Sequence, residues 1–310
     1  MGARELGSSR ALASALGSPP MHDEGFSLFD LAPGKRVAER FRVVRPHRQS
    51  GLATTLEAIE EPGGERRELT VFPSALFEGP AQAEAYRRSW EPWMGVVSPH
   101  VLRVREALIL PHSTVALVTD FPAGPTLRDW MRDHGRMDSA RAVDVGLQLL
   151  DGLAAIHEAG LVHGDVKPQT IYLPPSEGQL RGLLVDGGIT TGLWNAKHLG
   201  ERTALIGTPF YAPVEQFGGE SPDVQSDIYN LATVLFELIT GVLPWPGSTL
   251  LEVFQAKLDR NPPSMRKRAP GLEIQPELEE AVCAGLLADR ARRYGKAADF
   301  RRDLAAAKRG

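Results

Sequence analysis

Apolar residues change their spacing along the chain. Up to residue 121 they alternate or form short runs rich in Val, Ile, Leu and Thr, which is typical of strands. Beyond residue 127 they recur every three or four positions, which is typical of helices. The pattern predicts strands over 41–45, 52–59, 68–72, 101–109 and 114–120, and helices over 81–94, 140–160, 227–240, 250–258, 276–287 and 297–308.

This order of elements predicts an α+β fold with two lobes. Residues 37–121 should form a small antiparallel β-sheet lobe with one helix, and residues 122–310 a larger helical lobe, with a cleft between them. Residues 1–36 are rich in Gly, Ser, Ala and Pro, so we expect a flexible N-terminal extension. An apolar patch in that extension has two interpretations, packing on the following lobe or docking on a partner. The patch consists of Phe26, Leu28, Phe29 and Leu31.

Composition argues against several kinds of partner and location. The 310 residues carry a formal net charge of −4, so we expect neither nucleic acid nor an anionic membrane surface as the main partner. No apolar run approaches the roughly 20 residues of a membrane helix, and the N-terminus has no signal-peptide pattern, so we expect no membrane span in this chain. The single cysteine, Cys283, fits a reducing compartment, and we predict a cytoplasmic protein.

Five short motifs follow one another in the second half of the chain. The first is HGDVKPQT at 163–170, and the second is VDGG at 185–188. The others are GTPFYAPVE at 207–215, SDIY at 226–229, and Asp289 followed by Arg293. Together with the strand pattern before them, these motifs make residues 36–305 resemble the eukaryotic-like (Hanks-type) serine/threonine protein kinases of bacteria. The resemblance implies a bilobal protein-kinase-like fold.

The resemblance also assigns chemistry to individual residues. Asp165 matches the catalytic-loop aspartate that orients a substrate hydroxyl, and Lys167 matches the lysine that neutralises the transferred phosphoryl group. Asp186 matches the aspartate that binds Mg²⁺, and Thr170 takes the place of the asparagine that holds a second metal ion. ATP and Mg²⁺ are the implied cofactors. Asp120, which ends the last predicted strand of the sheet lobe, belongs to the candidate nucleotide-binding set.

The residues that grip the nucleotide in this family are missing. The glycine loop corresponds to residues 48–55, where Arg48 takes the first of three replaced glycine positions and Gly51 remains, off the motif positions. Thr70 takes the position of the strand lysine. Residues 36–166 contain no lysine at all, so a relocated lysine is excluded. Arg48 is therefore the best-placed substitute, although arginine is a larger, planar donor.

Three more positions depart from the family pattern. The helix glutamate that pairs with the strand lysine corresponds to Ser89, with Glu91 as the alternative. Gly187 replaces the D-F-G phenylalanine, and Gly164 replaces the arginine that reads a phosphorylated activation loop. One preorganised donor is commonly worth about 10²–10³ in rate. The loss of the lysine, the glycines and a metal ligand together should therefore lower a typical kinase rate of ~1–100 s⁻¹ by several decades.

Two pairs of matching residues are assigned to structure rather than to chemistry. His163 and Asp227 match residues that hold the backbone of the catalytic loop. Glu215 and Arg293 match an ion pair that braces the activation segment.

Three functions stay open at this point. The leading hypothesis is a catalytically impaired pseudokinase, a signalling scaffold or regulatory binding module for a protein partner, with ATP and Mg²⁺ bound weakly or not at all. The alternative is an active, atypical serine/threonine protein kinase that transfers the γ-phosphate of ATP to protein hydroxyls through Asp165, Lys167 and Asp186. A third is another nucleotide transfer, such as nucleotidylation, which no residue specifically supports.

Overall fold

The computed structural model of the chain describes residues 31–49, 53–197, 209–258 and 261–308. Gly51 lies outside the described residues, as does the predicted apolar patch except for Leu31. Leu31 is only 6% exposed and packs in the core of the sheet lobe. The predicted N-terminal extension over residues 1–36 falls mostly outside the described residues and stays a prediction, although Leu31 itself packs on the sheet lobe.

Six strands form one antiparallel sheet in the first lobe, in the spatial order β1-β2-β3-β4-β6-β5. The strands are β1 (Arg36–Val37), β2 (Phe41–Gln49), β3 (Thr54–Glu60), β4 (Glu65–Phe72), β5 (Val104–Leu110) and β6 (Thr114–Asp120). The register of β4 and β6 pairs Glu68 with Thr119 and Thr70 with Leu117. Residues two apart on a strand share a face, so Glu68 and Thr70 point to the same side of the sheet.

Helix α1 (Pro80–Arg88) is the one α-helix among the described residues of the sheet lobe, and it is shorter than the predicted helix over 81–94. It ends at Ser89, and a separate 3-10 turn covers Pro92–Gly95. Pro92 has no amide hydrogen to donate, so the α-helical ladder cannot run through it. The stretch nevertheless buries large aromatic side chains, namely Tyr86, Trp90 and Trp93.

The second lobe consists of helices and two short strands. The helices are α2 (Leu127–His134), α3 (Ser139–Glu158), α4 (Ile189–Lys197), α5 (Val214–Phe217), α6 (Val224–Thr240), α7 (Leu250–Lys257), α8 (Met265–Arg268), α9 (Pro276–Gly285) and α10 (Ala297–Ala307). Strands β7 (Ile171–Tyr172) and β8 (Leu183–Leu184) pair with each other. The predicted α+β fold, a sheet lobe followed by a helical lobe, is confirmed.

Helix α6 is the central element of the helical lobe, because every residue from Ser226 to Thr240 is buried. It begins where the Asp223 carboxylate accepts a hydrogen bond from the Ser226 amide, as aspartate commonly does at an N-cap. It ends at Gly241, whose φ of +78° is a left-handed conformation that glycine adopts without strain. This start places Asp227 in the first turn, next to the catalytic loop.

The predicted lobe boundary at residues 121 and 122 falls between β6 and α2, and the exact limits stay a prediction. Within the described parts of the chain, no helix is both long and apolar enough to cross a membrane.

Candidate active site

The catalytic-loop residues Asp165 and Lys167 lie together at the cleft. The Lys167 ammonium donates to the Asp165 carboxylate at 2.6 Å, and the two side chains are 17% and 21% exposed, respectively. Both charged groups are therefore within reach of a molecule that enters the cleft, and each neutralises the other.

Asp227 holds the backbone of the catalytic loop from below. Its fully buried carboxylate accepts hydrogen bonds from the amides of His163 and Gly164, both at 2.8 Å, and from His157 at 2.9 Å. Burial lowers the pKa of His163, so its imidazole is neutral. Gly164 has a φ of +80°, and a Cβ there would lie 2.8 Å from a Thr191 methyl group. The arrangement has the loop-holding geometry expected of His163 and Asp227.

Thr170 uses its hydroxyl to close the catalytic loop. The hydroxyl donates to the Asp165 carbonyl at 2.7 Å and accepts from the Lys167 amide at 3.1 Å. The residue is only 4% exposed. These bonds engage the hydroxyl hydrogen and one lone pair of the oxygen that was predicted to ligate a metal ion.

Asp186 is bound by an arginine from the opposite lobe. Two nitrogens of the Arg48 guanidinium donate to the two carboxylate oxygens of Asp186, at 2.5 and 2.9 Å. Arg48 lies near the end of β2, in the stretch that matches the glycine loop, so the pair joins the two lobes. Burial alone would lower the pKa of Arg48, but the Asp186 and Glu68 carboxylates outweigh burial and raise that pKa. The guanidinium is therefore permanently charged.

Glu68 is a second carboxylate on the same guanidinium, and no role in the cleft was predicted for it from the sequence. Its Oε1 accepts from Arg48 at 2.7 Å, and its buried Oε2 has no hydrogen bond but lies 3.8 Å from the Nε2 of His47. The side chain is only 1% exposed. Burial raises the pKa of Glu68 to about 7; Arg48 opposes that rise, and the Asp186 charge adds to it. One feature of the sequence did indicate that Glu68 is buried, since it directly precedes the strand run Leu69 to Phe72, which is itself buried.

Three ring-bearing residues that sequence reasoning also missed complete the cluster. His47 lies 3.2 Å from the Tyr172 hydroxyl, measured from its Nε2, and its ring meets the Phe121 ring edge-on at 4.8 Å between centroids. The Arg48 guanidinium lies 5.7 Å from the centre of the Tyr172 ring. His47 belongs to the sheet lobe and Tyr172 to the helical lobe, so side chains of this chain meet across the cleft beside Arg48.

Thr70, at the position of the family's lysine, faces a small internal cavity. The residue is 4% exposed, and the cavity has a volume of about 20 Å³. That volume holds about one water molecule. The cavity wall also includes Trp90, Trp93, Thr119 and His163.

Neither candidate for the helix glutamate reaches the cleft. The Ser89 hydroxyl donates to the Tyr86 carbonyl at 2.6 Å, and a Cβ on Gly192 of α4 would lie 3.5 Å from it. Glu91 is 59% exposed and pairs with Arg87 at 3.1 Å. Helix α4 thus packs against the end of α1 beside Ser89.

Trp93 explains the two glycines that follow Asp186. A Cβ on Gly188 would lie 2.5 Å from the Trp93 ring, and a Cβ on Gly187 would lie 2.8 Å from it. Real Cβ atoms essentially never approach so closely, so the indole excludes a side chain at both positions. The indole therefore occupies the space next to Asp186 from the side of the sheet lobe.

Two other predictions concern residues away from this cluster. The Asp120 carboxylate is bound by Arg105 at 2.7 and 2.9 Å and by Arg67 at 3.1 Å, and it takes no part in the Arg48 network. The Arg293 guanidinium donates to both oxygens of Glu215, at 2.7 and 3.2 Å, with both side chains almost fully buried. The contact between Arg293 and Glu215 has the geometry of the ion pair that was expected to brace the activation segment.

Comparison with known proteins agrees with this architecture. A family model, the protein kinase domain, matches residues 85–297. The chain is 30% identical over 215 residues to the serine/threonine-protein kinase PkaA of Streptomyces coelicolor, which covers 69% of this chain and 39% of that protein. It is 28% identical over 280 residues to the serine/threonine-protein kinase pkn2 of Myxococcus xanthus, covering 89% of this chain and 34% of that protein.

Solved structures show the same fold. The crystal structure of the Mycobacterium tuberculosis PknI kinase domain superposes with a TM-score of 0.67 at 21% sequence identity, covering 89% of this chain and 98% of that one. The chain spans less than half the length of the curated relatives described above. Because the family model matches more than half of the chain, the chain belongs to the protein kinase family, alongside bacterial serine/threonine kinases.

Proposed function

We propose that this chain is a pseudokinase, a catalytically impaired kinase domain that serves as a signalling scaffold or regulatory binding module for another protein. One observation carries the proposal: Arg48 occupies both carboxylate oxygens of Asp186. In this family that carboxylate bridges the metal ion to the nucleotide phosphates. A guanidinium in that position neutralises the carboxylate without any nucleotide.

The donor set in this arrangement does not fit Mg²⁺ with ATP. Asp186 is held by a bidentate, charge-assisted pair, which is among the stronger hydrogen-bonded contacts in proteins. The Thr170 hydroxyl is engaged with the loop backbone, and Thr70 offers no cation to the phosphates. A nucleotide would have to break the Arg48–Asp186 pair and separate His47 from Tyr172 before it could enter.

The Arg48–Asp186 pair also supports the scaffold part of the proposal. It ties the sheet lobe to the helical lobe, which in an ordinary kinase is a task shared with the bound nucleotide and metal. A domain closed by its own side chains presents a constant outer surface to a protein partner. We further propose a cytoplasmic location, on the ground that the single cysteine suits a reducing compartment.

An active, atypical kinase is the second candidate, and a specific observation favours it. Asp165 and Lys167 keep the family's catalytic arrangement, and Arg48 has a second carboxylate, Glu68, to hold it if Asp186 is released. The Arg48–Glu68 pair would then replace the lysine–glutamate pair of the family with two residues from the sheet. In this case Arg48 would contact the phosphates.

A thermal-shift measurement with ATP, with and without Mg²⁺, tests the proposal. A ligand at a hundredfold excess over its dissociation constant adds about 2.7 kcal/mol of stability. The pseudokinase proposal expects no such gain at millimolar ATP, and no transfer of labelled phosphate to a generic basic protein. Transfer that Asp165→Asn abolishes would establish the active kinase instead and would refute the proposal.

A further inference from the structure

The segment 209–217, which we call the substrate-side segment, is fixed to the helical lobe by several buried contacts. It contains most of the GTPFYAPVE motif, and its own short helix α5 begins at Val214. In this family an arginine at the position of Gly164 orders the activation segment through a phosphate group. Gly164 cannot do so, so the order of this segment needs another source.

Lys257, at the end of α7, is in contact with the segment from beneath. Its ammonium donates to the carbonyls of Pro209 at 3.2 Å, Phe210 at 3.0 Å and Ala212 at 2.5 Å. An ammonium has three hydrogens to donate, so the three carbonyls match its full capacity. Backbone carbonyls accept these bonds whatever side chains the segment carries, so the contact fixes the path of the backbone itself.

The surroundings of Lys257 are those of an internal cation. The residue is 1% exposed, and its Nζ lies 5.5 Å from the centre of the Phe217 ring and 5.3 Å from that of Tyr229. Aromatic rings at this distance attract a cation. Burial lowers the pKa of Lys257 to about 7, and the Glu215 charge opposes that shift. The three carbonyl acceptors likewise favour the charged form.

Two other contacts hold the segment at its middle and its end. The Tyr211 hydroxyl donates to Glu237 at 2.5 Å, and Arg293 binds Glu215. Neither contact involves the carbonyls of residues 209–212, because both run through side chains. Asn230 of α6 adds one backbone contact, because its side-chain amide, oriented to satisfy its hydrogen bonds, donates to the Tyr211 carbonyl at 3.2 Å. Lys257 holds the three other carbonyls of residues 209–212 and is therefore the main contact of the backbone at the start of the segment.

We propose that Lys257 is a positioning residue that keeps the substrate-side segment permanently in the shape that receives a protein chain, without phosphorylation of the activation segment. The proposal goes beyond the pseudokinase assignment, and it does not depend on whether the cleft binds nucleotide. It assigns to a buried cation of α7 an ordering role that this chain's Gly164 cannot perform.

Hydrogen–deuterium exchange of the unmodified protein and of Lys257→Met tests the proposal. Methionine is similar in length, so it keeps the packing volume but cannot donate to the carbonyls. Local opening makes amides exchange faster, and hydrogen bonds to a charged group commonly contribute enough to slow it at least tenfold. We therefore expect peptides covering residues 209–219 to exchange about tenfold faster or more, while α3 and α6 exchange as before.

Two further variants separate positioning from general stability. Lys257→Arg keeps a cation with several donors, and we expect exchange over 209–219 to lie much closer to that of the unmodified protein than to that of Lys257→Met. Lys267→Met removes an exposed lysine of α8 and should change nothing. Unchanged exchange over 209–219 in Lys257→Met would overturn the proposal. So would an equal loss of protection in all helices, or failure of Lys257→Arg to restore protection.

Discussion

The guanidinium of Arg48 holds both carboxylate oxygens of Asp186, and the two residues come from opposite lobes. This one pair accounts for two features of the sequence that look unrelated, an arginine at a glycine-loop position and a family aspartate retained without the lysine that normally acts beside it. Asp186 has a partner in this chain that needs no nucleotide. Its retention is therefore compatible with a structural role.

Replacing Arg48 with alanine should open the cleft to metal and nucleotide. Asp186 and Glu68 would lose their shared cation, and a partly buried charged group left without its partner destabilises a fold by about 1–3 kcal/mol. We expect a lower midpoint in urea denaturation, and a larger stabilisation by Mg²⁺ than in the unmodified protein. Differential scanning fluorimetry in a magnesium titration measures the second effect.

Arg45→Ala is the matched control for that experiment, because Arg45 lies on the same strand, is 60% exposed and pairs with Glu57 rather than with a cleft residue. It should change neither the magnesium response nor, by more than about 1 kcal/mol, the stability. An identical magnesium response in Arg48→Ala and the unmodified protein would show that Arg48 does not compete for Asp186.

Glu68→Gln should alter the pH dependence of stability in a defined direction. The pKa of Glu68 is raised from 4.5 to about 7 in the folded protein, mainly by burial, so folding favours the protonated acid. The stability that this group contributes is complete below about pH 4.5 and is lost as the pH rises through about 7. Relative to Glu68→Gln, the free energy of unfolding of the unmodified protein should therefore fall between about pH 4.5 and about pH 7 and stay lower at higher pH.

Urea denaturation at several pH values between 4.5 and 8 measures this difference. Glu91→Gln serves as the control, because it removes a carboxylate that is 59% exposed and outside the cleft. Parallel pH profiles for the unmodified protein and Glu68→Gln would contradict a raised pKa at Glu68.

A phenylalanine at position 187 should be tolerated only when Trp93 is made small. Gly187→Phe restores the family's residue, but its Cβ would lie 2.8 Å from the Trp93 ring. Overpacking of this kind typically costs about 1–3 kcal/mol. The double variant Trp93→Ala with Gly187→Phe should be more stable than the sum of the two single effects predicts, by about 1 kcal/mol or more, in a double-mutant cycle.

Gly95→Ala provides the comparison for that cycle, because a Cβ at Gly95 meets nothing within 4 Å. Its effect and that of Trp93→Ala should combine additively. Additive behaviour of Gly187→Phe and Trp93→Ala would mean that the indole does not exclude a side chain at position 187.

The sequence was sufficient for the fold because the spacing of apolar residues is a local property. The catalytic loop was also predictable, since Asp165 and Lys167 belong to one contiguous motif. The missing lysine led to Arg48 as a candidate, but not to its partner, because the Arg48–Asp186 contact spans 138 positions. Nothing in the local pattern shows that the guanidinium turns toward a carboxylate rather than toward solvent.

Other parts of the site depend on side-chain direction, which spacing does not reveal. Glu68 binds a cleft residue only because Arg48 crosses the cleft. Trp93 lies beside Asp186 only because the helix stops before Pro92. Thr170 was assigned to a metal ion by its position, whereas its hydroxyl closes the loop that contains it. In each case a contact between distant segments decides the chemistry.

Asp227→Asn should weaken the contacts that hold the backbone of the catalytic loop. The Asp227 carboxylate accepts from the amides of His163 and Gly164 and from the His157 ring, and it has no exposure to water. An asparagine keeps one acceptor oxygen but turns an NH₂ group toward a backbone or ring donor. Because unsatisfied buried donors cost about 1–3 kcal/mol each, we expect a loss of about 2–4 kcal/mol in urea denaturation.

Asp223→Asn, which still leaves an oxygen to cap α6, should cost less than about 1 kcal/mol. Equal losses in the two variants would contradict a special role for Asp227 in holding the loop.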